Sequence, residues 1–444
     1  MVVAASLCLS AGSRKGPNGP SVVSPSPRNP GGMLKPMTAV VRTTAKAHAH
    51  ILPVIVLAQC AGTSPWFAVN AVMPDLQQAF GWPMQTVGTL TSAVQLGFIA
   101  GTLVFALLAL ADRHSARGLF LLCALASAGC TLGAAWSAGS LHALLAWRVA
   151  TGFFLAGIYP VGMKIAAQWF PNGLGAALGW LVGALVLGSA SAHALRAMGT
   201  QWPWEQVLIV IAAVSATGGM LLFLAVPEPP HAPARATGLQ FTALASVWRD
   251  RRVRASVLGY FGHMVELYTM WVLVPTILAT RLAGAALSWT AFAVLGAGVI
   301  GCVGGGLAVR RFGGARVAGF QLALSGVCCL LAPWALVAPY VGFMGWLVLW
   351  GITVAGDSPQ FSALTAQNAP RQAVGSVLTL TNSLGFAISI VSIELFVRLS
   401  QQMPLARLLP WLALGPVLGL IAMLPLLRPP HAVPPVPPAG STPG

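Results

Sequence analysis

From Ile51 to Leu427 the chain repeats one pattern, an apolar run, a short polar or basic connector, and another apolar run. Each run is roughly 20 residues long, enough for a helix to cross the ~30 Å hydrocarbon layer of a bilayer. The punctuation predicts helices over 51-73, 84-110, 117-136, 141-163, 174-195 and 203-226. A second set follows over 254-279, 287-309, 316-334, 338-357, 374-398 and 405-427. The expected fold is an all-α polytopic membrane protein of twelve transmembrane helices. Its longest internal connector, 227-253, is polar and falls between the sixth and seventh runs, so the chain parses as two six-helix bundles, 51-226 and 254-427.

Composition agrees with a lipid environment. Of the 444 residues 57% are hydrophobic and 7% charged, against about 25% charged in a soluble domain. The net charge of +16 forms no basic patch with interleaved aromatics, so nucleic acid is not an expected partner. Its distribution instead sets an orientation. With both termini cytoplasmic, the inner connectors hold Arg113, Arg117, Lys164, Arg249, Arg251, Arg252, Arg254, Arg310, Arg311, Arg316 and Arg371, and the outer ones only Arg196, Arg281, Arg398 and Arg407. That excess follows the positive-inside rule and requires an even number of spans. The seven cysteines show no metal-ligand spacing, and no cofactor or metal site is expected. Residues 1-50 and 428-444 are rich in Pro, Ser and Gly and read as disordered, with Met33 or Met37 as alternative starts. The bias toward Arg, Ala, Gly and Pro suggests GC-rich coding, hence a bacterial inner membrane.

The two halves share features. Short basic turns follow the second and eighth runs, Ala111-Asp112-Arg113-His114-Ser115-Ala116-Arg117 and Val309-Arg310-Arg311-Phe312-Gly313-Gly314-Ala315-Arg316. Small residues four apart, as at Gly97 and Gly101, Gly175, Gly179 and Gly183, and Gly301 and Gly305, let helix backbones approach closely. At these turns the chain resembles the major facilitator superfamily, whose signature reads Gly-x-Leu-Ala-Asp-Arg-x-Gly-Arg-Arg. Leu110, Ala111, Asp112, Arg113 and Arg117 fit, whereas Leu108, Ser115 and Ala116 depart from it. In the second half Gly306, Arg311 and Gly313 fit, with Arg310 at the acidic position. The run from Arg148 to Gly152 and on through Gly157-Ile158-Tyr159-Pro160 is also family-like. The resemblance spans about 51 to 427 and implies a 6+6 transporter in which Asp112, Arg113 and Arg117 act as gating charges.

Ionisable residues inside spans are costly and usually face a bundle interior. Arg148 lies in the fourth run, where it either pairs structurally or presents a cation to an anionic solute. His263 and Glu266, three apart on the seventh run, share a face. A lone midplane carboxylate must be paired or protonated, which makes Glu266 the leading proton-coupling candidate and His263 its tuning neighbour. Asp357, placed near the inner end of the tenth run, is a gating candidate or a helix-capping acid. Glu394 and Arg398, four apart, read as a local ion pair. Gln59, Trp66, Gln95, Tyr159 and Asn382 are candidates for substrate contact or for helix-to-helix contact.

No Gly-x-x-x-x-Gly-Lys-Ser/Thr loop is present, so direct use of ATP is not expected. No clustered catalytic groups point to an enzyme. The leading expectation is a monomeric secondary transporter working by alternating access, taking up a small organic or inorganic anion with protons. A drug or metabolite efflux pump and a non-transporting receptor or sensor are the alternatives.

Overall fold

The computed structural model describes residues 50–428 except 138, 171–173, 200, 230–238, 240 and 371. The segments expected to be disordered, 1-50 and 428-444, lie outside the described residues apart from His50 and Arg428. The described residues form helices and connectors without a strand. Among the described residues twelve helices are long and apolar enough to span a membrane, as the sequence pattern predicts. Spans 1 to 6 are Ile51–Phe80, Thr86–Leu107, Ala116–Ser137, Leu141–Trp169, Ala177–Met198 and Trp204–Ala225. Spans 7 to 12 are Arg251–Leu278, Gly284–Phe312, Gly314–Ala335, Tyr340–Asn368, Val374–Leu399 and Leu405–Leu427.

Burial follows from the solvent. Leu57, Leu122, Ile300 and Leu418 are exposed apolar side chains in mid-span, as lipid-facing positions should be. Spans 1, 3, 5 and 6 and spans 2, 3 and 4 pack together, as do spans 7, 11 and 12 and spans 8, 9 and 10. The halves meet along spans 5 and 8 and along spans 2 and 11.

The glycines fix the closest crossings. A Cβ on Gly97 of span 2 would stand 1.9 Å from the Val149 carbonyl oxygen, and one on Gly152 of span 4 would stand 1.9 Å from that of Val94. The second half repeats the reciprocal pair. Cβ atoms on Gly301 and Gly351 would lie 1.9 Å and 2.1 Å from the carbonyl oxygens of Ile352 and Val294. With lipid on both sides of the free-energy balance, such backbone approach is the main source of helix association.

Several spans run further than the apolar pattern suggests, and they do so through breaks. Span 1 passes from an α-helix, Ile51–Thr63, through a 3-10 turn, Ser64–Phe67, before resuming and ending at Phe80. Span 4 consists of Leu141–Leu155 and Tyr159–Trp169, and span 10 of Tyr340–Gly356 and Ser358–Asn368. Pro65, Pro160 and Pro359 each sit in the first turn of the segment after the break. There the missing N–H removes no helical hydrogen bond, so the chain can restart on a new axis. The polar stretch after Gly356 reads as a connector, yet it is the second half of span 10. Asp357 is therefore at a mid-span break and not at the span's inner end.

Candidate functional site

Between the two halves lies a small cavity of about 30 Å³, lined from spans 4, 5, 7, 10 and 11. Its volume suffices for a water or two and for nothing larger. Span 7 presents Tyr260, Met264, Leu267, Tyr268 and Trp271 to it, a helical stripe of alternating three- and four-residue steps. Tyr159 and Ser358, the first residues of the second halves of spans 4 and 10, lie on its wall with Asn382 and Phe386 of span 11. Three of the chain's four tyrosines therefore converge on one site. No charged side chain is among the lining residues. The indole N–H of Trp271 is buried and has no hydrogen-bond partner among the described residues.

An aromatic cluster roofs the cavity on the side away from the span 6 to span 7 linker. Trp66 of span 1 stacks on Tyr268 with ring centroids 6.0 Å apart, and Phe98 and Phe386 meet at 4.8 Å. Beyond it spans 2 and 11 are stitched across the two halves. The Ser389 hydroxyl donates to Gln95 Oε1 at 2.7 Å, and the Ser92 hydroxyl donates to Glu394 Oε1 at 3.0 Å. The linker-side halves of spans 4 and 10 instead pack mainly on helices of their own bundles. The conformation is thus closed on the face opposite the linker.

The ionisable groups fall into separate clusters. Arg148 is buried and donates from Nη1 to the Pro65 carbonyl at 2.9 Å and from Nη2 to the Trp66 carbonyl. It clamps the 3-10 break of span 1 and does not line the cavity. Glu266 lies on span 7 roughly opposite the cavity stripe. Its Oε1 accepts from Trp350 Nε1 at 2.6 Å, from Cys329 Sγ at 3.2 Å and from the Ser325 hydroxyl. His263 sits at the edge of the stripe, its Nδ1 2.8 Å from Asp357 Oδ1, with both residues buried and without the alignment of a hydrogen bond. His263 and Glu266 thus share a helix but have different partners. Asp357 lies in sequence between cavity-lining Ala355 and Ser358.

At the linker face Asp112 pairs with Lys164 of span 4 at 2.5 Å, and Lys164 also donates to the Ala111 carbonyl. Arg117 pairs with Glu228 at 3.1 Å and donates to the Val226 carbonyl at 2.5 Å, while Ser115 donates to Glu228 at 2.6 Å. Arg113 is exposed. These contacts tie the turn after span 2 to spans 4 and 6. At the opposite face Glu394 lies 3.9 Å from Arg398, as the spacing suggests, and also receives Ser92.

Of the neutral candidates, Tyr159 and Asn382 line the cavity, Trp66 roofs it, and Gln95 lies on the seam between spans 2 and 11. Gln59 packs elsewhere, with its Oε1 in the space a Cβ on Gly162 would need. Sequence reasoning did not single out Tyr268, Trp271 or Phe386 for the cavity, nor Lys164, Ser325 and Trp350 for the polar clusters. The stripe that Tyr260, Met264, Tyr268 and Trp271 form on span 7 was the available signal.

Twelve spans in two packed halves, with a mid-span cavity between them, define a polytopic transporter fold. The Major Facilitator Superfamily profile matches residues 55–393, and the chain belongs to that family. Among solved structures, the human organic anion transporter MFSD10 (TETRAN) superposes with a TM-score of 0.65 at 16% identity, over 85% of this chain and 99% of that one. The proton:xylose symporter XylE bound to 6-bromo-6-deoxy-D-glucose superposes with a TM-score of 0.69 at 14% identity, over 86% of this chain and 96% of that one. No curated protein matches the sequence.

Proposed function

We propose that this secondary transporter moves a small, largely apolar solute that carries a hydrogen-bond acceptor and is uncharged overall within the site. The observation that carries this reading is the lining itself: Tyr159, Tyr260, Tyr268, Trp271 and Phe386, with an unpaired Trp271 N–H and no charged side chain. Aromatic faces bind an apolar body, and a buried donor without a partner favours a ligand that supplies one. The site opens alternately as the halves rock, with spans 2 and 11 separating on one face and the linker-side halves of spans 4, 5, 8 and 10 on the other. The arginine excess on the linker side supports a cytoplasmic linker face.

Coupling to protons rests on the buried acids of the C-terminal half. Glu266 already receives three donors, whereas among the described residues the Asp357 carboxylate has a close approach from His263 but no aligned hydrogen bond, and it sits beside the cavity wall. The His263 and Asp357 pair is therefore the better proton carrier, and Glu266 the better structural anchor.

An anionic substrate is the second reading. Arg148, its expected ligand, gives two nitrogens to carbonyls, but the second halves of spans 4 and 10 both begin at the cavity, and helix N-termini favour negative charge. MFSD10, an organic anion transporter, shares the fold with this chain and only 16% of its sequence. A thermal-shift screen of purified protein with matched carboxylates and their neutral amides or alcohols separates the readings. Stabilisation by the neutral members, lost in Trp271→Phe, supports the first. Stabilisation by carboxylates alone refutes it.

A further inference from the structure

One corner of the linker face carries aromatic and basic side chains that do not line the cavity. A short helix, Ala243–Arg249, precedes span 7. Its Val247 is buried with Val253 and Val257 of span 7, Ala366 of span 10, and Val374 and Val377 of span 11. The Arg254 guanidinium donates to the Trp248 carbonyl at 2.8 Å, and Arg252 Nε donates to Asn368 Oδ1 at 3.0 Å. The helix is thereby bolted to the ends of spans 7, 10 and 11.

What it leaves outside is equally specific. Phe241 and Trp248 are 58% and 65% exposed. Arg249 and Arg251 are exposed and form no ion pair among the described residues. The acid between them, Asp250, accepts from the backbone N–H groups of Arg252 and Val253 and so caps span 7. Two guanidinium groups without an ion pair thus follow an outward indole, and an outward phenyl ring lies a few residues earlier in the chain, at the end of a membrane span. Aromatic rings settle at the headgroup level of a bilayer, and arginines just beyond a span attract anionic headgroups.

We propose that this corner binds anionic phospholipid headgroups, with Arg249 and Arg251 as ligands of the phosphate and Trp248 as the anchor in the interface. The occupant is lipid and not free phosphate, because the exposed rings give an acyl-bearing ligand a contact that an inorganic ion cannot use. Bound lipid braces the ends of spans 10 and 11 through Val247, where the linker face must move during transport.

The test is thermal unfolding of the purified full-length chain, titrated with short-chain phosphatidylglycerol, short-chain phosphatidylcholine and inorganic phosphate. Wild type is expected to be stabilised at lower concentration by phosphatidylglycerol than by phosphatidylcholine, and not by phosphate. In Arg249→Gln/Arg251→Gln the phosphatidylglycerol midpoint should rise about 25-fold, the product of about fivefold for each arginine. Trp248→Ala should raise it several-fold. A charge-matched control, Arg310→Gln/Arg311→Gln at the turn after span 8, should leave it in place. All five substituted positions of the patch and control are at the surface, so the variants are expected to fold. An unchanged midpoint in the linker variants, an equal rise in the control, or equal protection by inorganic phosphate would overturn the proposal.

Discussion

At the scale of single residues, the buried polar groups matter because each is held by a few hydrogen bonds that water cannot replace. Arg148→Lys is expected to destabilise the folded protein by about 1–3 kcal/mol, since one ammonium cannot serve both the Pro65 and Trp66 carbonyls in the fork geometry of a guanidinium. Substrate affinity should change much less than the unfolding midpoint, which a paired thermal-shift and binding measurement would show. For coupling, Asp357→Asn should abolish proton-driven accumulation in proteoliposomes while substrate exchange persists. Glu266→Gln should lower stability and keep accumulation. The reverse pattern would return the coupling role to Glu266. At the linker face, the Ser115 hydroxyl, assisted by Arg117, holds the Glu228 carboxyl below the usual carboxylate range. A carboxylate depressed in the folded state stabilises above its unfolded value, about 4.3, and loses that contribution as the pH falls through its folded value. Glu228→Gln should therefore lower stability slightly at pH 7, by about 0–1 kcal/mol for so exposed a group. The difference from wild type should shrink as the pH falls below about 4.

At the scale of elements, helix crossings and helix breaks set the architecture. Gly97→Ala and Gly301→Ala each drive a methyl into a carbonyl of the neighbouring span, so both should sharply reduce the yield of folded protein. Gly129→Ala is the control, because a Cβ there meets nothing within 4 Å and the substitution should be neutral or stabilising by about 0.5–1 kcal/mol. Equal yields of all three would show that the crossings tolerate separation. The breaks of spans 4 and 10 have a different use. They place Tyr159 and Ser358 at the cavity, and in span 10 they bring Asp357 to mid-span beside His263. A continuous apolar helix would have left both positions one face among several.

At the scale of the molecule, closure opposite the linker depends on contacts between the halves at spans 2 and 11. Removing the two hydroxyl donors in Ser92→Ala/Ser389→Ala should shift the population toward opening on that face. Spin labels at Thr89 and Gln401, both exposed at the same end, should then report a larger fraction of long distances than in the parent. An unchanged distance distribution would assign closure to the aromatic roof of Trp66, Phe98, Tyr268 and Phe386 alone.

Hydropathy by itself determined the number of spans, because a bilayer requires every crossing segment to be apolar along its length. The turn from Ala111 to Arg117 and the run through Tyr159-Pro160 carried the family resemblance, since their charges, glycines and prolines serve local geometry that sequence spacing records. Tyr159 and Asn382 were legible as polar groups on apolar spans. Only the tertiary structure decided which of those groups share a site. Arg148 and Glu266 are both midspan charges, yet their side chains point to carbonyls of span 1 and donors of spans 9 and 10, directions fixed by helix rotation. Tyr268, Trp271 and Phe386 are unremarkable in a chain that is mostly hydrophobic. They become a cavity wall because spans 7 and 11 turn those faces toward the opposite half, and rotation about a helix axis depends on packing partners far away in sequence.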